Sequence, residues 1–200
     1  MKIPLSIRRA YEEQEDHYKR LKELVDKKIK ALIDSRWHYV SRIKEITSYC
    51  LKLESGRFED LKNMEDYFAC TIVVTSAAEL ETAQELIQTK FDIKAKRPKS
   101  ANFTLKDSNS FPFDDLRLHI CLKSDPALPP TGLEGTIFEL QLKTFLQHAW
   151  AISTHDLVYK TDDVHWSKER IAYQIKAMLE HAELSIYEAE KMVHPVNEYL

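Results

Sequence analysis

Four short segments with strand patterns are grouped in the middle of this 200-residue chain, and segments with helical spacing flank them on both sides. YFACTIVVT (67–75) is a run of apolar, β-branched and aromatic residues, which is typical of a strand buried on both faces. FDIKAKR (91–97), LRLHICLK (116–123) and GTIFELQLK (135–143) alternate as half-buried strands do. The grouping predicts an α+β fold, a mixed sheet of about four to five strands flanked by helices.

Apolar residues at three- and four-residue steps predict the helices. A chain of this length favours a single domain over residues 1–200, with its core at about 38–162 and an N-terminal helix (5–35) and a C-terminal helix (166–192) packed on it. Between these two, helices are predicted over Tyr39–Leu53, after Ser76 as an N-cap, and over about 144–159.

Composition excludes several classes of protein. The chain has three glycines (Gly56, Gly132 and Gly135), so it contains neither a P-loop nor a dinucleotide fingerprint, and any phosphate must be bound by side chains. A net charge of -3 gives no argument from bulk basicity for nucleic-acid binding. No apolar run approaches the ~18 residues of a membrane helix, and the three separate cysteines are typical of buried thiols. We therefore expect a cytoplasmic protein with no membrane partner.

A basic motif lies in the second predicted helix. Lys44, Ser48 and Lys52 are four residues apart and would share one helix face, with Arg42 nearby. Cations on one stripe repel each other until an anion neutralises them, and a polyphosphate is such a ligand. The alternative is a solvated basic face.

Carboxylates accompany two of the predicted strands. Asp66 precedes one strand, and Glu139 shares a strand face with Gln141 and Lys143 because the strand period is two. If Asp66 and Glu139 converge, they have the oxygen ligands that Mg²⁺ prefers in phosphoryl transfer. The alternative is a cap or an ion-pair partner at each position.

Histidines and further cations form the remaining candidates. HAWAISTHDLVYK carries His148 and His155, but the other ligands of a metal phosphohydrolase are not visible, so His155 is predicted to make a polar contact at the site. Alternation places Arg117 and His119 on one strand face, which is unusual for a central strand. A basic run is also present, for which the alternative explanation is surface charge: Lys94, Lys96, Arg97 and Lys99.

The order of these motifs resembles the RelA/SpoT alarmone synthetase family, whose domain has a nucleotidyltransferase-like fold. The family pattern is RxKxxxSxxxK on a helix, an Asp opening a buried strand, a strand His, ExQxxT and HAWxxxxHDxxYK. The resemblance spans about residues 40–160, and residues 138–160 are its most specific part. The matching residues are Arg42, Lys44, Ser48, Lys52, Asp66, His119, Glu139, Gln141, Thr144, His148, Ala149, Trp150, His155, Asp156, Tyr159 and Lys160.

The resemblance implies an ATP-dependent pyrophosphotransferase that makes (p)ppGpp with GTP or GDP as acceptor. It implies that Arg42, Lys44, Ser48 and Lys52 bind ATP and that Asp66 and Glu139 are catalytic and hold Mg²⁺. Glu139 would also help to remove the proton of the acceptor 3′-hydroxyl. The acceptor nucleotide is assigned to Phe113, Arg117, His119, Gln141 and His155.

Two positions depart from the family pattern. Thr71 stands where an arginine is usual, and Asp114 and Asp115 stand where a Gly-Tyr is usual, so Phe113 is the candidate for stacking on the base. Two alternatives follow: a toxin-like relative that uses the 3′ end of tRNA or an adenine nucleotide as acceptor, and a degenerate domain that only binds nucleotide. The sequence contains no hydrolase half, so we predict no alarmone-degrading activity.

Overall fold

A five-stranded mixed sheet organises the part of the chain that the computed structural model describes, namely residues 3–54, 67–97, 116–124, 129–158 and 166–192. This confirms the α+β prediction. The strands are β1 (His38–Ile43), β2 (Phe68–Val74), β3 (Phe91–Arg97), β4 (Leu116–Leu122) and β5 (Phe138–Thr144). The helices are α1 (Leu5–Lys30), α2 (Ile46–Glu54), α3 (Glu79–Lys90), α4 (Phe145–Val158) and α5 (Trp166–Lys191).

The strands lie side by side in the order β1-β2-β5-β4-β3. β2 and β5 are parallel, and every other neighbouring pair is antiparallel. A parallel pair requires a long connection, and the chain uses α3, β3 and β4 to return from β2 to β5. As a result, β5 lies at the centre of the sheet, with β2 on one side and β4 on the other.

One face of the sheet, which we call the closed face, is apolar and covered by α1 and α3. Alternation along β5 directs Phe138, Leu140 and Leu142 to this face, where each is fully buried. Helix α1 contributes a stripe at helical spacing, and α3 contributes a second one. These stripes are Leu21, Val25 and Ile29 on α1 and Leu80, Ala83 and Ile87 on α3.

The opposite face, which we call the open face, carries the polar residues of the strands. Glu139, Gln141 and Lys143 are half-buried there, as their alternation predicts. In β2, Ala69 and Thr71 are also half-buried, so the expectation of a strand buried on both faces is wrong at these two positions. All three cysteines are buried, as predicted. No helix of the described residues is both long and apolar enough to cross a membrane.

The helix expected over Tyr39–Leu53 is wrong in its first half. His38–Ile43 forms β1, which pairs with β2, and α2 begins only at Ile46. The apolar residues at three- and four-residue steps therefore belong to two elements, a strand and a helix. Arg42 lies in the strand and Lys44 directly follows it, so neither shares a helix face with Ser48 and Lys52.

The helix starts also differ in part from expectation. Ser76 does not cap α3, which begins at Glu79; its hydroxyl donates instead to Glu190 Oε2 of α5 at 3.0 Å. Thr144, the last residue of β5, does cap α4: its Oγ1 accepts the Gln147 amide hydrogen bond at 3.1 Å, and its own amide donates to Gln147 Oε1 at 3.1 Å. Thr144 also donates to the buried Glu183 of α5 at 2.8 Å. Burial raises the pKa of Glu183, while this bond opposes the shift.

Candidate active site

Three motif positions form one row with Ala69 across the open face. In the strand register, Arg42 pairs with Ala69, Ala69 with Glu139, and Glu139 with His119. Neighbouring strands are spaced by roughly 5 Å, so the Cα atoms of Arg42 and Glu139 are separated by roughly 10 Å. The small side chain of Ala69 leaves the space between them open. A long cation, a carboxylate and an imidazole thus line a single row on one face.

A second row of register partners lies next to this one on the open face. Val40, Thr71, Gln141, Arg117 and Arg97 are successive register partners from β1 to β3. Gln141 Nε2 donates to Glu139 Oε1 at 2.5 Å, so the two rows are joined at their centre. Gln141, predicted to bind the acceptor, therefore also orients the carboxylate of Glu139. Arg97 and Arg117 are both exposed and lie directly opposite each other.

A groove of about 550 Å³ lies between these rows and α4. Its floor is formed by β1, β2 and β5, including Arg42, Thr71 and Gln141, and its wall by His148, Ala151 and Ile152 of α4. Val40, Ala69 and Ile152 give it apolar surface, and the ends of Arg42 and Lys143 give it positive charge. A cleft of this size with mixed lining accommodates a nucleotide-sized ligand.

Basic side chains gather at the α4 end of the groove. The rings of His38 and His148 lie 6.0 Å apart, and Lys143 is close enough to act on His148 electrostatically. Burial, Lys143 and His38 together lower the pKa of His148. An anion in the groove would relieve this repulsion, so the end of the groove favours a negatively charged ligand.

The remaining predicted residues are placed as follows. Lys44 is half-buried and its amide donates to Tyr67 O at 2.8 Å, which joins the end of β1 to the start of β2. Ser48 is exposed on α2. Asp66 and Phe113 lie outside the described residues, and so do the side chains of Lys52 in α2 and His155 in α4. Among the described residues, no three His, Cys, Asp or Glu side chains form a metal-sized cluster.

The family follows from a direct comparison of the sequence. Residues 41–164 match the model of the region found in RelA/SpoT proteins. The chain belongs to the RelA/SpoT family. This confirms the resemblance and supports the prediction of a pyrophosphotransferase enzyme. No relative was found among curated protein sequences.

Solved structures confirm the fold. Small alarmone synthetase 1 of Bacillus subtilis is 15% identical, with a TM-score of 0.74 over 92% of this chain and 97% of that one. The same synthetase bound to its product pppGpp is matched at 16% identity and a TM-score of 0.71, over 88% and 94% of the two chains. Small alarmone synthetase 2 of B. subtilis gives 17% identity and a TM-score of 0.63, over 92% and 95%.

Several residues in or beside the groove were not singled out from the sequence. His38 and Val40 lie on β1, which the helical spacing concealed, and Ile152 lies on α4 at a position with no motif. The period-two pattern of HYVSRI, with aromatic and β-branched residues, is the signal that could have revealed β1. Trp150 of the family pattern is half-buried between helices: its Nε1 donates to Ala172 O of α5 at 3.2 Å.

Proposed function

We propose that this RelA/SpoT protein transfers the β,γ-pyrophosphoryl group of ATP to the 3′-hydroxyl of GTP or GDP and so makes (p)ppGpp. The acceptor oxygen forms a bond to the β-phosphorus, the bond from that phosphorus to the α-phosphate oxygen breaks, and AMP leaves. The observation that carries the proposal is the row of Arg42, Ala69, Glu139 and His119 beside the groove.

The groove suits the donor nucleotide. Arg42 lies on its floor, and an arginine presents several donors to phosphate oxygens in a fixed geometry. Lys143 adds positive charge at the other end, beside the rings of His38 and His148. Because phosphoryl transfer is accelerated mainly by positioning and charge stabilisation, these cations are the residues that the reaction needs.

Glu139 and Asp66 are our candidates for holding Mg²⁺. Glu139 fits this role on the described face: its carboxylate is half-buried, lies on the open face beside the groove and accepts a hydrogen bond from Gln141. A carboxylate has about four acceptor positions, so this contact leaves room for a hard cation. When bound, Mg²⁺ would neutralise charge on the transferring phosphates.

Residues of the open face are proposed to orient the carboxylate, accept the proton and bind the acceptor. Gln141 holds Glu139 in one orientation, and Glu139 accepts the proton of the acceptor 3′-hydroxyl. His119 is buried directly across from Glu139 in the strand register and is our candidate for a contact with the acceptor. Arg117 and Arg97 face the same side and are our candidates for the acceptor phosphates.

Two observations favour a second acceptor class. The Arg97 and Arg117 pair extends the positive surface to the edge strand, and Thr71 leaves the groove floor without the usual family arginine. Like charges directly opposite each other are stabilised by an anion, and the 3′ end of tRNA or an adenine nucleotide has such phosphates. These acceptors belong in the same test.

The test is a transfer assay with ATP labelled in its β-phosphate. The protein, Mg²⁺ and labelled ATP are incubated in separate reactions with GDP, GTP, ADP, ATP and tRNA, and the products are separated by thin-layer chromatography. Label on GDP or GTP is the expected result. Label on tRNA or an adenine nucleotide instead would replace the proposed acceptor and retain the chemistry.

Absence of transfer to every acceptor would contradict the proposed activity. In that case binding of a non-hydrolysable ATP analogue, measured by calorimetry, separates a nucleotide-binding domain from a protein that does not bind nucleotide. A matched inactive control for the background of the assay is the same reaction with EDTA.

A further inference from the structure

Three residues from different parts of the chain form a closed ring of hydrogen bonds. The Tyr11 hydroxyl of α1 donates to Lys44 O at 2.9 Å. The Lys44 amide donates to Tyr67 O at 2.8 Å, and the Tyr67 hydroxyl donates to Tyr11 O at 2.9 Å. Both backbone groups of Lys44 are therefore held, one by α1 and one by the residue that precedes β2.

The ring is packed inside an aromatic cluster. Tyr11 contacts Tyr67 with ring centroids 5.0 Å apart and meets Tyr49 edge-on at 5.5 Å. Tyr18 stacks on Tyr67 at 4.4 Å with an interplanar angle of 19°. Tyr49 and Tyr67 have no exposed surface. Hydrogen bonds shielded from water in this way are stronger and more costly to break than exposed ones.

The ring connects the residues assigned to the donor phosphates and the metal. Lys44 is a predicted phosphate ligand, and Tyr67 directly follows Asp66, the predicted Mg²⁺ ligand. Tyr11, in contrast, lies outside residues 41–164, which the family model matches. Burial raises the pKa of both Tyr11 and Tyr67, so both hydroxyls remain donors at neutral pH.

We propose that Tyr11 is a positioning residue for ATP binding: through its hydroxyl, helix α1 fixes the backbone of Lys44 so that this lysine meets the donor phosphates. The inference rests on the proposed function and on the family resemblance, which assigns Lys44 to the donor phosphates. It makes the N-terminal helix part of the framework of the active site, in addition to its role in covering the closed face. Tyr11 acts through Lys44 and touches no reacting atom.

The first test compares Tyr11→Phe with Tyr18→Phe. The first variant keeps the ring and loses the hydrogen bond to Lys44 O, whereas the second loses a hydroxyl from the same cluster without removing that bond. The measurement is calorimetric binding of a non-hydrolysable ATP analogue with Mg²⁺. We expect the Kd to rise about fivefold for Tyr11→Phe, as for one lost hydrogen bond, and to stay unchanged for Tyr18→Phe.

Calorimetry also separates positioning from a purely structural role. A variant that is partly unfolded lowers the binding stoichiometry and leaves the Kd of the folded fraction unchanged, whereas a misplaced Lys44 raises the Kd at full stoichiometry. The melting temperature of each variant is measured in parallel. Equal Kd values for Tyr11→Phe and the unmodified protein would overturn the positioning role.

A double-mutant cycle tests whether Tyr11 acts through Lys44. In a Lys44→Ala background the protein has already lost the Lys44 amine that is proposed to bind the phosphates. Tyr11→Phe is therefore expected to add no further increase in Kd. A full additional fivefold increase would show that Tyr11 acts elsewhere and would overturn the inference. If the unmodified protein does not bind the analogue at all, the proposed function fails and this inference fails with it.

Discussion

The two faces of the central strand β5 differ residue by residue. Phe138, Leu140 and Leu142 are fully buried on the closed face, whereas Glu139, Gln141 and Lys143 are half-buried on the open face. The closed face packs against α1 and α3, and the open face meets α4 across a groove. A single strand therefore supplies the core with one set of side chains and the candidate active site with the other.

This difference shows how a sheet separates stability from chemistry. Burial of apolar area on the closed face is the favourable term that holds the sheet together. The open face carries cations that repel one another and polar groups that stay hydrated when no ligand is present. It can carry them because the closed face stabilises the strands. Substitutions on the two faces should therefore have different consequences for stability and for activity.

The largest effect is expected for Phe138→Ala on the closed face. The Phe138 ring is fully buried and contacts Phe68 at 5.0 Å and Phe91 at 6.1 Å between centroids. We expect the free energy of unfolding in urea to fall by about 3–5 kcal/mol. The matched control is Val40→Ala on the open face, expected to change it by less than about 0.5 kcal/mol because Val40 is 45% exposed. Similar losses for both would remove the distinction between the faces.

Arg42→Ala is the corresponding change on the open face. Arg42 lies on the groove floor and is proposed to bind donor phosphates. We expect the KM for ATP to rise about tenfold, with the urea midpoint unchanged, because a charged hydrogen bond to phosphate is lost. The effect should decrease at high salt. Arg9→Ala, an exposed arginine of α1, is the control, and an equal KM for both variants would argue against a phosphate site at Arg42.

Thr144→Val tests whether a family-motif residue belongs to the framework. Thr144 caps α4 and donates to Glu183 of α5. Its replacement is expected to lower the free energy of unfolding by about 1 kcal/mol, with the KM for ATP preserved. Thr71→Val on the groove floor is the control, with a change of less than about 0.5 kcal/mol. A raised KM at unchanged stability would instead place Thr144 among the ligand contacts.

The smallest effect concerns the pH dependence of stability. The pKa of His148 is lowered from its ordinary value of 6.5 by burial and by Lys143 and His38. The unfolded chain therefore takes up this proton at higher pH than the folded one, so stability is lost as pH falls from about 6.5 through the lowered pKa. We expect His148→Gln to reduce this loss in urea unfolding across that range. If His148→Gln left the pH profile of stability unchanged, Lys143 and His38 would not be repelling protonated His148.

Much of the fold was predictable because periodicity reports which side of an element is buried. The alternation of β5 correctly placed Glu139, Gln141 and Lys143 on one face, and the apolar stripe of the N-terminal helix was also recognised. Strand β1 was missed because the spacing of Val40, Ile43, Ile46 and Cys50 imitates a helix. Its strand conformation depends on pairing with β2, which is a tertiary contact that local propensity does not encode.

The candidate site was predictable only in part. The residue types were recognised by resemblance, but the row of Arg42, Ala69, Glu139 and His119 depends on the strand order β1-β2-β5-β4. No local pattern specifies that order. The hydrogen bond from Tyr11 to Lys44 joins residues 33 positions apart and leaves no trace in the spacing of either segment.

The most direct measurement is the rate of pyrophosphate transfer from ATP to a guanine nucleotide by Glu139→Gln compared with the unmodified protein. Glutamine keeps the size of the side chain and removes its charge and basicity. We expect a loss of at least about 100-fold in kcat with an unchanged melting temperature, because Glu139 is proposed to accept the acceptor proton and to hold Mg²⁺. Transfer at the unmodified rate by Glu139→Gln would contradict the assignment of catalysis to the open face.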